Sequence, residues 1–236
     1  CSDGWFCTSI NDENRVDFSI YTQIKDFFDE QQQIKLVFND IPIGLPTPKM
    51  KSRKCDFETR KLLTRKRSSS VFPVPTRKAI YAESYLKANN LNRRLVDKGV
   101  SKQAWNLSPK IRDVDEFLRE HTKYISILIE SHPEICFWAL AGKTPMQYYK
   151  KTKKGIEERI SLLNRFIPNA RQMIQDAQNE LQEYKFELDD IFDSMILAAS
   201  AKISTHKYIN MFSENTDYDR FHLPMRIVYP KLRDTS

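Results

Sequence analysis

Glycine is the residue this sequence lacks most. It has five in 236 residues, where average usage of about 7% would give roughly sixteen, and Gly4, Gly44, Gly99, Gly142 and Gly155 stand far apart. Phosphate loops built from backbone amides need closely spaced glycines, so dinucleotide-fold and P-loop enzymes are excluded. Cysteine is sparse as well. Cys1, Cys7, Cys55 and Cys136 show neither the CxxC spacing of zinc sites nor the density of a disulfide scaffold, which fits a reducing cytoplasm. No apolar run approaches the roughly 18 residues of a membrane span. Nor is there a leader of basic, apolar and small-residue segments. The expectation is a cytoplasmic protein without a membrane partner.

What is present is ordinary for a globular protein: 40% hydrophobic, 11% aromatic and 29% charged residues. At roughly 100 to 200 residues per domain, the length allows one enlarged domain or two small ones. Lys and Arg number 38 against 31 Asp and Glu, a net +7 with a sequence pI near 9.1. That favours polyanionic partners only weakly, since a basic pI speaks first of solubility and non-specific binding.

The β-rich runs Trp5 to Ile10 and Val16 to Tyr21 flank the polar turn Asn11 to Asn14 and predict a hairpin. Thr22 is placed to cap a helix carrying Ile24, Phe27 and Phe28 on one face. Ile34 to Phe38 reads as a strand buried on both faces, ending at Asn39 and Asp40. From Pro42 to about Lys78 prolines, serines and basic residues interrupt the pattern, with one helix around Phe57 to Leu63. Helical periodicity returns at Ala79 to Leu86, and Ser108 with Pro109 marks the next helix start. A second apolar strand, Ile125 to Ile129, again delivers a carboxylate and a proline, Glu130 and Pro133. Helices are expected over Pro133 to Leu140, Ile156 to Phe166, Pro168 to Asn179 and Phe186 to Ile203. The tail LPMRIVYP is expected on the surface or a sheet edge.

The last long helix is the most informative. Asp189, Asp190 and Asp193 sit inside a stripe of Phe186, Leu188, Ile191, Phe192, Met195, Ile196 and Leu197. Asp190 and Asp193, three apart, share a face, and two close carboxylates repel unless a cation sits between them. Oxygen donors alone point to Mg²⁺ or Mn²⁺. The plain alternative is acids complementing the helix dipole. Asp40 and Glu130, each ending an apolar strand, would meet such a helix at one sheet edge, the layout of a two-metal phosphoryl-transfer site. Their plain alternatives are a turn residue and a surface acid or cap. His132 is an accessory candidate for ligation or proton transfer, against a structural hydrogen bond at a helix start. Glu134, in the first turn, has the helix dipole as its plain explanation.

Basic residues cluster at Lys49, Lys51, Arg53 and Lys54, at Arg65, Lys66 and Arg67, and at Lys150, Lys151, Lys153 and Lys154. Each cluster could grip phosphates without reading sequence, and each could equally be solvated surface. Phe72, Trp105, Tyr148 and Tyr149 nearby could stack on bases or pack in a core.

In order along the chain, IPIGLP after Asp40, CDFETR (Cys55 to Arg60), SSVFPVPTR (Ser69 to Arg77), QAWNLSPKIRDVD (Gln103 to Asp115), ESHPEICF, KKTKKGIEER (Lys150 to Arg159) and DDIFDSMILAASA resemble the domain of unknown function 429 family. That family is regarded as predicted RNase H-like nucleases. The resemblance implies one α/β domain over residues 1–236. Its core would be a five-stranded mixed sheet of order 3-2-1-4-5 flanked by helices, with residues 46–122 as a lid-like insertion after the fourth strand. It implies Asp40 ending the fourth strand, Glu130 ending the fifth, and Asp190 with Asp193 as the paired acids of the final helix. The resemblance also implies an Asp on a first strand ahead of a segment like CSDGWF; Asp3 is not that residue, and the expectation is a first strand incomplete in this sequence.

The expectation is a nuclease whose catalytic and metal-binding residues are Asp40, Glu130, Asp190 and Asp193, holding Mg²⁺ or Mn²⁺. Asp189, His132 and Glu134 are accessory, and Arg60, Arg77, Lys110 and Lys151 hold the phosphates of a DNA or RNA substrate. Two alternatives stay open: a non-catalytic nucleic-acid-binding module on the same fold, and a hydrolase of a small phosphorylated metabolite.

Overall fold

The computed structural model describes residues 1–31, 33–63, 67–204, 209–211 and 216–232. They fall into two compact units, the first formed by residues 1–38, 131–210 and 229–236, the second by 39–130 and 211–228. Strands and helices are mixed along the chain, with helix the commoner element, so the class is α/β. Arg65 and Lys66 of the second basic cluster lie outside the described residues.

In the first unit β1 (Trp5–Ile10) and β2 (Val16–Tyr21) form the expected antiparallel hairpin, in register from Trp5 opposite Tyr21 to Ile10 opposite Val16. Then comes α1 (Ile24–Glu30), capped at Gln23 and not at Thr22. Asp26 Oδ2 accepts the Gln23 N–H at 2.9 Å, as the third-position acid of a capping box does. The strand expected over Ile34 to Phe38 shrinks to β3 (Val37–Asn39). Ile34 and Leu36 are only half-buried, and Lys35 between them reaches out to Asp12 on the exposed hairpin turn, 2.6 Å.

The second unit holds α2 (Lys54–Leu62), α3 (Arg77–Ile80), α4 (Tyr85–Val96), α5 (Lys102–Asn106) and α6 (Ser108–Glu120). Ser84 and Ser101 cap α4 and α5 by accepting the N–H groups of Lys87 and Ala104. Ser108 does not cap. It is buried inside the first turn of α6 and its Oγ donates to the Ala104 carbonyl. Ala79, Ala88, Val100 and Ala104 make a small-residue core cluster, and Phe72 and Trp105 pack against it. Both aromatics therefore take the packing alternative to base stacking. The second expected strand is also short. Ile125 and Ile127 donate to the carbonyls of Thr122 and Tyr124, so tight turns take up their backbone groups before β4 (Leu128–Glu130) begins.

The first unit continues with α7 (Pro133–Leu140), α8 (Lys153–Leu163), α9 (Ala170–Glu180) and α10 (Leu188–Ser204). α10 packs on β1 and α7, burying Ile191, Phe192, Met195 and Ile196, and the Thr8 and Ser194 hydroxyls join β1 to it at 2.7 Å. That orientation leaves the acids at its head half-buried. The chain ends with β5 (Ile209–Met211), β6 (Asp217–Tyr218), β7 (Pro224–Met225) and β8 (Val228–Pro230). The tail is not on the surface, since Leu223, Met225, Ile227 and Val228 are each 3% exposed or less and burial of apolar side chains is favourable; its strands β7 and β8 do lie at sheet edges, each in a two-stranded sheet. Among the described residues strands pair two at a time, in four two-stranded sheets, and a five-stranded sheet is not seen. No helix among them is long and apolar enough to cross a membrane.

A candidate acidic site at the head of the last long helix

The three acids at the start of α10 have different partners. Asp190 Oδ2 accepts the N–H of Glu187, the residue before the helix, at 2.8 Å, and its Oδ1 accepts from the Cys1 nitrogen at 2.5 Å. The first contact satisfies a backbone donor that no helical turn reaches. Asp189 and Asp193, four apart and so on one face, both turn to Lys150, whose Nζ lies 2.6 Å from Asp189 Oδ2 and 2.9 Å from Asp193 Oδ2. The cation that two neighbouring carboxylates require is here an ammonium. Burial acts to raise the pKa of Asp189, but the hydrogen bond and charge of Lys150, helped by Lys151, hold it below the ordinary carboxylate value. Burial likewise opposes the charge of Lys150, and the two carboxylates outweigh it and push its pKa well up. The acids drawn together are thus Asp189 and Asp193, one residue displaced from the expected Asp190 and Asp193.

Replacing Lys150 by methionine should cost about 2 kcal/mol at neutral pH, the scale of a hydrogen bond to a charged group, read as a lower urea midpoint. In the parent protein the depressed pKa of Asp189 gives stability that is present above the unfolded value and lost as pH falls. In the variant Asp189 loses the hydrogen bond and the charge of Lys150, and its pKa rises. The advantage of the parent over the variant is then lost as pH falls, and the two proteins should converge below about pH 4. Equal midpoints at neutral pH would show that Lys150 carries no such role.

The other candidates of the first unit have structural work. His132 Nδ1 accepts the Glu134 N–H at 3.2 Å and caps α7. Glu134 is buried against the fully buried Arg159, Oε1 to Nη2 2.5 Å. Lys151 is exposed, with Nζ 3.9 Å from Glu187 and from Asp189.

In the second unit Asp40 is exposed just beyond β3, whereas Glu130, closing β4, is buried. Glu130 Oε1 accepts from Arg53 Nη2 at 2.6 Å and Oε2 from the Ile43 N–H at 2.7 Å. Burial pushes its pKa up to about 7 against the pull of both donors. Arg53, counted by sequence among phosphate-gripping residues, is 1% exposed and also contacts Asp56 at 3.1 Å. Arg77 is held by Asp115, at 2.6 Å, and by Asp219, while Arg60 Nη1 donates to the Val71 carbonyl at 2.9 Å. Lys110 is half-buried. Of the four expected phosphate-binding residues, Lys151 alone is in the exposed class.

Sequence reasoning missed the bridging role of Lys150, the buried Arg159, and Asp219. The last accepts from the N–H groups of Leu45, Phe221 and Leu223 and pairs with Arg77. The spacing of Arg53 and Asp56 (i,i+3) and of Asp115 and Arg119 (i,i+4) was the one local signal of such pairing.

Within each unit no three His, Cys, Asp or Glu side chains among the described residues are grouped to hold a metal ion. The α10 acids fit a divalent cation by donor chemistry, as oxygen ligands already arranged around one positive charge. Glu130 does not fit, since both its oxygens are engaged by Arg53 and the Ile43 amide. No curated protein and no solved structure matches the chain. Residues 1–216 match the model of a family described as "Protein of unknown function (DUF429)", and the chain belongs to that family.

Proposed function

We propose that the protein hydrolyses phosphodiesters of nucleic acid with Mg²⁺ or Mn²⁺ at the head of α10. The observation that carries this reading is Lys150 seated between Asp189 and Asp193, a half-buried position where the helix demands a cation. A divalent ion held by those two carboxylates would supply the charge that polarises a phosphoryl oxygen. Lys150 and Lys151 would neutralise substrate phosphates beside them, and Asp190 fixes the first turn that aims both acids. Glu130 is left out of the set, since Arg53 and the Ile43 amide engage both its oxygens. The RNase H-like sheet of order 3-2-1-4-5 belongs to this reading through the family resemblance. The cytoplasm is the proposed place of action, since four scattered cysteines fit a reducing compartment.

The test is an assay of the purified protein on labelled DNA and RNA, single- and double-stranded, in Mg²⁺, Mn²⁺ and EDTA. Products in either metal and none in EDTA support the reading; no products from any substrate in either metal sink it. One observation favours a second reading, a binding module without catalysis: Lys150 already neutralises the acids with no metal needed. Binding that persists in EDTA, with no products in metal, decides for that module.

A further inference from the structure

Residues 147–154 of the first unit carry two large aromatics that the core does not use. Tyr148 is 42% and Tyr149 60% exposed. The backbone beneath them is braced at every step. Glu158 accepts the N–H groups of Gln147 and Tyr148 at 2.8 and 3.0 Å, and the buried Arg159 donates to the Tyr148 carbonyl at 3.4 Å. The Tyr149 carbonyl accepts from Thr152, from Oγ1 at 2.7 Å and from the amide at 3.0 Å. A Cβ at residue 155 would come within 2.0 Å of that carbonyl oxygen, so Gly155 is the residue that lets the loop close onto α8. These bonds fix the backbone that carries the two exposed rings.

Their setting is basic. Lys151, Lys153 and Lys154 are exposed, and Lys154 Nζ stands 5.5 Å from the centre of the Tyr148 ring. Lys150, the residue after Tyr149, bridges Asp189 and Asp193, so the aromatic pair is joined directly, one residue along the chain, to the lysine whose ammonium sits in the acidic site. Exposed rings on a braced backbone among cations are what unpaired bases stack on while their phosphates are neutralised. A duplex covers the faces of its bases and offers such rings only its backbone. We infer that Tyr148 and Tyr149, with Lys151 and Lys154, form a stacking platform for single-stranded nucleic acid beside the α10 acids. The platform names the substrate form for the phosphodiester site proposed above and rests on that reading.

The experiment is fluorescence anisotropy of the full chain with a labelled oligonucleotide, as single-stranded DNA, single-stranded RNA and duplex, in EDTA so that no cleavage intervenes. Both single strands should bind at least about tenfold more tightly than the duplex, and Tyr148→Ala and Tyr149→Ala should each weaken single-strand binding roughly five- to a hundredfold. Tyr149→Phe, which keeps the ring, should bind as the parent does. Lys154→Gln should reduce the slope of log affinity against log salt by about 0.7. Equal affinity for single strand and duplex, or tyrosine variants indistinguishable from the parent, overturns the platform. Because binding is read without metal, failure of the cleavage assay would remove the hydrolytic reading and leave this result standing on its own.

Discussion

Changing Asp193 to asparagine is expected to lower metal-dependent cleavage about a thousandfold, since the charge stabilisation at such a site is worth several kcal/mol and each 1.4 kcal/mol is roughly tenfold. The substitution is chosen because it changes charge and little else. Asparagine has nearly the shape of aspartate, and its amide oxygen can still accept from Lys150 Nζ, now 2.9 Å from Asp193 Oδ2. Asp189, at 2.6 Å, keeps the ion pair on the same ammonium. The fold should therefore survive, and the unfolding free energy read from the urea midpoint should fall by less than about 1 kcal/mol. What the variant loses is one of two anionic oxygen donors. The measurement is kcat/KM in Mn²⁺ on a single-stranded substrate, with the urea midpoint as control. Cleavage unchanged from the parent would dismiss α10 as the site, while a large fall in both rate and midpoint would make Asp193 structural.

How much of this was legible in the sequence follows from the range of each interaction. The β1–β2 hairpin could be read to the residue because alternation and a polar turn are local. α10 could be read for the same reason, since its apolar stripe and its acids lie within five helical turns. Strand limits at Ile34 and Ile125 were overstated. Apolarity measures burial, and it does not say whether a backbone amide finds a ladder partner or, like that of Ile127, a carbonyl three residues back. The site divides in the same way. That two acids on α10 need a cation was a local deduction. That Lys150 supplies it depends on a loop far away in sequence reaching the helix head, and in the sequence Lys150 is one lysine of a run. Arg53 makes the point more sharply. Its neighbours Lys51 and Lys54 are exposed while it is buried, and composition gives all three the same charge.

Replacing Arg53 by methionine is expected to destabilise the protein by about 3–5 kcal/mol at neutral pH, the cost of stranding a buried charge. The guanidinium is fully buried, and although burial opposes its charge, the carboxylates of Asp56 and Glu130 keep it protonated. The Cys55 thiol cannot take over as a counter-charge, since burial pushes its pKa up to about 12 and leaves it neutral. Two acids therefore depend on Arg53, and burial already raises the pKa of both. The pH dependence has a definite sign. A carboxyl raised from 4.5 to about 7 on folding, as Glu130 is, contributes stability that is complete below the unfolded value and is lost as pH rises through the folded one. Without Arg53 the folded value rises further. The deficit of Arg53→Met should then be greatest in mild alkali and shrink toward pH 4.5, which a series of urea midpoints would show. Arg53→Lys should fall in between, because an ammonium keeps the charge without the fork that reaches Glu130 and the carbonyls of Ile43 and Gly44. Arg53→Met combined with Glu130→Gln should be more stable than Arg53→Met alone, since the second change removes the stranded charge. If the double variant is instead the less stable, the cost lies in lost packing around a long side chain and not in electrostatics.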